Sequence, residues 1–530
     1  MLPSRGDLAG RLAPVLLALW PVLFVAGNNP GEFSAVELAV VVSCAGLVGV
    51  AFGVLGTAVV RGRHASRLAG MILVAMLYAP FIVASLARNQ ALRAVPAIST
   101  LLHVLLAALA GLALLRLRRA GQGSEGTVRA LGIGVAALFA MAAFPAIRSS
   151  ALSHPAPRAL EPRGAKDDSL PDIYLIVLDQ YASNSVLAWR FGFSNQAFTD
   201  SLRIRGFELP AASWSNYAYT AASVASMLNM THVTSVADSV GPDERSLVPL
   251  NRMIVDNVAF RLVRSAGYRV VFVRSPAFHG TRTAPAADRV VQTSSGLQWL
   301  GVQATSPLAI EALRLTWIGR ALESLNVRLG SPWRELAPYR GIEAAIGEPG
   351  PKFVFAHAMT THQPFYFTPE CRWAPRAKPV YDRLYVAQVQ CANRQLLRVI
   401  DQILVSGRPS IVLLQADHGT ASLGSRSLPR AADLSQAQAA ERFGAFAAYR
   451  LPEGGALADT VTPVNLLRMA FNRYLGSQLP LLPDSAYHSI VERDYELIPV
   501  DLEAVAKTDG HSAVAGSGVA TSPHGRAGID

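Results

Sequence analysis

Five nearly unbroken apolar stretches crowd the first 150 positions, at about 12–26, 36–60, 68–87, 96–115 and 130–147. After residue 170 the pattern changes to shorter apolar runs divided by polar and amphipathic segments. A run of about 20 apolar residues matches the thickness of a bilayer core, so the five stretches predict transmembrane helices, the first of them short and interrupted by Pro21. Among the later runs, DIYLIVL at 172–178, Tyr268 to Val273, Lys352 to His357 and Ser410 to Gln415 are continuous and rich in β-branched residues. Such runs form central strands covered on both faces. Helical patterns such as Tyr385 to Leu404 separate them. The spacing therefore predicts an anchor of five helices over 1–148, a Pro- and Ala-containing linker over 149–170, and one α/β domain over 171–505. That domain has a central, largely parallel sheet with helices on both faces. Val461 to Leu482 reads as a helix packed on the sheet and followed by a Pro-containing turn. Residues 506–530 are rich in Gly, Ser and Ala and predict a disordered tail, whose His511 and His524 are not metal candidates.

Composition agrees with a divided chain. Of 530 residues, 51% are hydrophobic and 16% charged, and the mean hydropathy is +0.29, more apolar than a soluble protein of this length. The basic residues orient the anchor. Arg5 and Arg11 precede the first run, Arg61, Arg63 and Arg67 follow the second, and Arg116, Arg118, Arg119 and Arg129 follow the fourth. The opposite loops carry Glu32 and Glu37, or only Arg88 and Arg93. Short cytoplasmic loops retain Arg and Lys, so the N-terminus faces the cytoplasm and everything after residue 148 lies outside. No small-residue cleavage site marks the first run as a removable signal. The net charge of +11 resides largely in these arginines, and no stacking platform accompanies it, which excludes a nucleic-acid partner in favour of anionic lipid headgroups. His103, inside the fourth span, reads as a packed neutral side chain, with a functional role as the alternative.

The chemistry gathers where the predicted strands end. DIYLIVL delivers Asp179, KFVFA delivers His357 with His362 just beyond, and SIVLLQA delivers Asp417, His418 and Gly419. Active sites of such sheets lie at the carboxyl ends of the strands. Carboxylate oxygen and imidazole nitrogen together suit zinc or a similar divalent ion, and unrelated loop residues are the competing reading for Asp179, Asp417 and His418. Thr220 opens the small-residue stretch TAASVASMLNM, where a helix start favours an anion, although threonine also serves as an ordinary N-cap. Cys44 reads as a packer in the second span. Cys371 and Cys391, twenty residues apart in an oxidising compartment, predict a disulfide worth about 3 kcal/mol, with two free thiols as the alternative. Arg274 and Arg442 have the charge to hold an anion but read as partners of surface carboxylates.

The succession PDIYLIVLDQY, NYAYTAASVASMLNM, FVFAHAMTTHQPFYF and QADHG resembles the sulfatase-like branch of the alkaline phosphatase superfamily. An anchor of five spans ahead of an external domain is similar to the phosphoethanolamine transferases of the lipid A pathway and to lipoteichoic acid synthases. The resemblance implies that Thr220 is the nucleophile and a metal ligand, and that Asp179, Asp417 and His418 complete a site for a divalent metal, Zn2+ with Mn2+ or Mg2+ as alternatives. It implies that His362 lies by the transferred and leaving groups, with His357 nearby on the same strand end as a substrate-binding candidate. Two departures stand out. Asp179 occupies a position where the transferases carry Glu, and Gln180 stands where sulfatases add a second acid, which argues for a single ion. The C/S-x-P-x-R segment of sulfatases is absent around Thr220. The expected protein is an inner-membrane enzyme of bacterial type that moves a phosphoethanolamine- or phosphoglycerol-like headgroup from a membrane lipid donor to an envelope lipid or glycan. A phosphate or sulfate ester hydrolase and a non-catalytic ligand-binding protein are the alternatives. The small, apolar helix faces of the anchor permit monomer or dimer.

Overall fold

A computed structural model describes residues 5–28, 35–86, 98–120, 125–151, 169–275, 287–291, 307–324, 335–374, 381–490 and 493–506. Most of the linker and all but the first residue of the predicted tail, with His511 and His524, lie outside the described residues. The chain divides into two compact units.

The first unit contains the N-terminal helices Arg5–Asn28, Ala35–Val59, Arg63–Leu77, Ala79–Leu86, Ile98–Ala120 and Glu125–Ala151. Four of them are long and apolar enough to cross a membrane, or five spans result if the pair Arg63–Leu77 and Ala79–Leu86, bent by 64° at Tyr78, counts as one. Helix Arg5–Asn28 packs against Glu125–Ala151, Ala35–Val59 and Arg63–Leu77. Glycine permits this closeness: a Cβ on Gly49 would fall 2.6 Å from Val15 Cα, and one on Gly56 2.4 Å from the Ser66 carbonyl oxygen. Helix Ile98–Ala120 has no buried residue and exposes Leu101, Val104, Leu105, Leu109, Leu112 and Leu115, a surface suited to hydrocarbon. The same unit includes two short helices from the middle of the chain, Pro307–Arg314 and Trp317–Ser324. Leu308 is buried among Val22, Leu23 and Val41, and its amide donates to Glu37 Oε1 at 3.2 Å. The ring of His103 lies 4.9 Å from that of Trp317, and its Nδ1 bonds to the Ser99 carbonyl at 2.8 Å.

The second unit is built on a seven-stranded sheet. Its strands are β1 (Asp172–Leu178), β2 (Phe207–Glu208), β3 (Arg269–Val273), β4 (Arg289–Val291), β5 (Lys352–Ala358), β6 (Ser410–Ala416) and β7 (Ala447–Arg450), in the spatial order β2-β7-β6-β1-β5-β3-β4. The five from β6 to β4 are parallel, and β7 runs antiparallel to β6 and β2 to β7. Strand β1 is buried at every position, as its unbroken apolar run predicts. Ile173, Leu175 and Val177 enter the core layer formed by helices Thr220–Asn229, Val258–Ser265 and Pro463–Tyr474. Tyr174, Ile176 and Leu178 enter the opposite layer, with helices Ala337–Ile346 and Tyr381–Val405. At the amino ends of the strands, Asp172 Oδ2 pairs with Lys352 Nζ at 2.7 Å, both 1% exposed, and Arg408 Nε reaches Oδ1 at 3.1 Å. A separate antiparallel hairpin joins β8 (Ala486–Ile490) and β9 (Arg493–Val500). Cys371 and Cys391 form a disulfide.

Candidate active site

Strand parity builds the site. Odd-numbered positions of β1, β5 and β6, among them Val177, Phe355 and Leu413, all face the layer that holds helix Thr220–Asn229. The same parity puts His357, Asp179 and Asp417 on that face at the carboxyl ends of three adjacent strands, with Val177 registered against His357 and Leu178 against Ala416. The helix delivers the hydroxyl. Thr220 is its first residue, while Tyr219 holds the N-cap position in extended conformation, so the threonine side chain does not cap. Instead Thr220 Oγ1 lies 3.3 Å from Asp179 Oδ2 and 3.1 Å from His418 Nε2. Thr220 is half-buried, and the acids and histidine around it are fully buried.

The loops behind these atoms are tied by buried hydrogen bonds. Ser223 Oγ donates to the Asp417 carbonyl at 2.6 Å, as does Ser215 Oγ, and Thr361 Oγ1 donates to that of Asp179. Asp417 Oδ1 accepts from the amides of Gln180 at 3.1 Å and His418 at 2.8 Å. Gln180 reaches Asp417 through its main chain, from a left-handed backbone with φ of 56°. Arg442 is buried, donating from Nη1 to the Gly419 carbonyl at 2.8 Å and from Nη2 to that of Ala218, and so joins the segment before Thr220 to the Asp-His-Gly loop. This corrects the reading of Arg442 as a partner of surface carboxylates. Its neighbour Glu441, also buried, accepts from Thr420 Oγ1, Ser422 and the Leu423 amide. Neither role was visible in the sequence.

The electrostatics call for a cation. His418 Nδ1 lies 3.0 Å from the Gly419 carbonyl, which only accepts, so Nδ1 carries the proton and Nε2 presents a lone pair. Burial, with the charge of Arg442, holds this imidazole well below its usual range and therefore neutral. Asp417 Oδ2 lies 3.4 Å from that lone pair, and neither it nor Asp179 Oδ1 accepts a hydrogen bond from any described residue. Burial and then the charge of Asp179 push the Asp417 carboxyl up. Burial pushes Asp179 up as well, but the charge of His362 and the hydrogen bond of His357 outweigh it, so Asp179 lies below the carboxylate range. One donor atom each from Asp179, Asp417 and His418 fall within 4.8 Å of one another. Buried, orphaned oxygens facing an imidazole lone pair fit a divalent metal ion.

Both remaining histidines lie beside this group. His357 Nε2 is 3.4 Å from Asp179 Oδ2, fully buried at the end of β5. His362 sits in the following turn, partly exposed, its amide bonded to the Met359 carbonyl and its Nδ1 to that of Gln363. Its charge is felt at Asp179. Cys371 and Cys391 pair with each other and take no part in the metal cluster.

No protein-family model matches the chain, and no curated protein is similar to it in sequence. Among solved structures, the C-terminal periplasmic domain of EcEptC from Escherichia coli, in complex with Zn, is 8% identical over 64% of this chain and 95% of its own, with a TM-score of 0.43. The integral membrane protein lipooligosaccharide phosphoethanolamine transferase A from Neisseria meningitidis is 14% identical over 84% of this chain and 88% of its own, with a TM-score of 0.36. A protein of the alkaline phosphatase superfamily from Vibrio parahaemolyticus is 12% identical over 66% and 88%, with a TM-score of 0.39. These are distant likenesses.

Proposed function

We propose that this chain is a membrane-anchored, metal-dependent phosphotransferase of the sulfatase-like branch of the alkaline phosphatase superfamily, acting on the outer face of a bacterial-type inner membrane. The observation that carries this reading is the position of Thr220 Oγ1, half-buried at a helix start and within 3.3 Å of both Asp179 and His418. Asp179, Asp417 and His418, with Thr220, would hold the ion, and the mixed oxygen and nitrogen donors favour Zn2+ over Mn2+ or Mg2+. When bound, it supplies Lewis-acid activation of a hydroxyl and neutralises phosphoryl charge.

The residues of the chain perform the transfer. Thr220 Oγ, giving up its proton to solvent, attacks the phosphorus of a membrane lipid donor, the bond to the leaving alkoxide breaks, and a phosphodiester forms on the threonine, which takes a proton back from solvent when the second step releases it. The first-turn amides of the helix and its dipole favour the anionic group at that position. His362, partly exposed in the turn after β5, protonates the departing alkoxide and then takes the proton of the incoming hydroxyl of an envelope lipid or glycan, which attacks phosphorus and frees Thr220. His357 orients Asp179. Arg442 and Glu441 fix the loops.

The test is intact-mass analysis of the full chain in detergent, metal-loaded and incubated with phospholipids or a chromogenic phosphodiester, beside Thr220→Ala. A mass increment confined to the threonine form is expected, and its size identifies the transferred group. Turnover retained by Thr220→Ala would sink the mechanism.

A further inference from the structure

A second group of buried polar atoms lies against Tyr219, the residue before the nucleophile. Arg442 is 1% exposed and its Cζ is 5.1 Å from the centre of the Tyr219 ring. Both Nη atoms are committed to main-chain carbonyls, but Nε has no hydrogen-bond partner among the described residues, and no carboxylate there pairs with the guanidinium. Ser425 Oγ, in the short helix Ser425–Ser427, is buried without a partner among the described residues, as are both ring nitrogens of His488 on β8. His488 is 1% exposed, packs its ring 6.4 Å from Phe443 and feels the charge of Arg442. Arg426, exposed, places its Cζ 5.9 Å from the same Tyr219 ring. Strand β8 packs on the short helix that carries Ser425 and Arg426.

Leaving each such group unsatisfied costs about 1–3 kcal/mol, and a guanidinium removed from water without a counter-ion costs several kcal/mol more. A native interior tolerates few of these, and here four orphaned atoms belong to Arg442, to His488 on β8 and to Ser425 on the short helix that β8 contacts. Arg442 Nε only donates, Ser425 Oγ can donate or accept, and the imidazole donates from one nitrogen and accepts at the other, with the guanidinium the only charged group of the three. The missing partner is therefore rich in acceptors and negative, and guanidinium groups are suited to phosphate or carboxylate.

We propose that Arg442, Ser425 and His488, with Arg426 at the rim, form a second anion site next to the transfer centre. It holds a phosphate group of the substrate other than the one being transferred. Its role in selecting a phosphorylated substrate rests on the transferase reading, whereas its occupancy by an anion does not.

The experiment is calorimetric titration of the metal-free full chain carrying Thr220→Ala with inorganic phosphate, and separately with glucose 1-phosphate. Both the metal and the nucleophile are then out of play. Expected is one-site binding that Arg426→Gln, Ser425→Ala and His488→Gln each weaken at least fivefold, with melting curves confirming that the variants fold. Tighter binding of the sugar phosphate would assign the site to a glycan substrate, and equal binding to the phosphate group alone. No binding, or binding unchanged in all three variants, would overturn the proposal and leave the group as a water-filled pocket. Calorimetry that fails while Thr220 still acquires its mass increment would leave the transferase reading standing. Binding without that increment would do the reverse.

Discussion

Asp417 Oδ2 stands 3.4 Å from His418 Nε2, and both atoms are acceptors once Nδ1 of the histidine faces the Gly419 carbonyl. Two buried acceptors in contact favour whatever positive species enters between them. Zn2+ at about a hundred times its dissociation constant is expected to stabilise the protein by roughly 2.7 kcal/mol. Asp417→Asn should lose most of that gain and the bound metal, read as melting temperature with and without Zn2+ and as metal content by plasma spectrometry. An equal rise in the variant would refute the assignment of Asp417.

The ion pair of Lys352 with Asp172 lies at the other end of the sheet from Thr220, with both side chains 1% exposed. Asp172→Ala strands the buried ammonium and should cost about 3–5 kcal/mol in chemical unfolding. Turnover per folded molecule should stay unchanged, because β1 separates the pair from the nucleophile. A variant as stable as the parent would show that solvent reaches Lys352.

Asp494 gives the fold a pH dependence. Burial pushes its carboxyl up to about 6 from the usual 3.8. A folded value above the unfolded one means that the contribution to stability is present below about pH 4 and is lost as pH rises through 6. Asp494→Asn should therefore stabilise the protein by about 1–3 kcal/mol at pH 8 and change little at pH 4. Identical effects at both values would contradict the burial of this group.

Cys371 and Cys391 close a loop of twenty residues between the turn after β5 and helix Tyr381–Val405. The paired replacement by alanine is expected to cost about 3 kcal/mol through the freedom returned to the unfolded chain. Unfolding with and without reductant reads the same quantity, and the double variant should be insensitive to reductant.

Gly419 has no room for a side chain: a Cβ there would fall 2.1 Å from the Glu441 carbonyl oxygen and 2.8 Å from that of Gly444. Both are backbone, so Gly419→Ala must displace the loop that carries His418. The expected result is a loss of turnover of tenfold or more, about 1.4 kcal/mol in activation free energy, with metal affinity falling in parallel. Full activity would mean that the loop position is not critical.

Local pattern alone determined much of this protein. Unbroken apolar runs identified the membrane helices and the central strands, because hydrocarbon and a doubly covered sheet both reject polar side chains along the whole of an element. That Asp179, Asp417 and His418 gather beside Thr220 was foreshadowed because each follows a recognisable strand or opens a helix, and strand parity already places the two acids and His357 on one face. The break at Tyr78 was not legible, since apolar composition continues through it. The seating of Leu308 against Val22 and Glu37 joins parts of the chain some 270 residues apart, which periodicity cannot reach. Arg442 shows the difference most clearly. The sequence reads it as a partner of surface carboxylates, and only the folded chain buries it, spends its Nη atoms on the carbonyls of Ala218 and Gly419, and leaves Nε without a hydrogen-bond partner among the described residues. Burial and hydrogen-bond satisfaction belong to the assembled layers, and no single segment of sequence contains them.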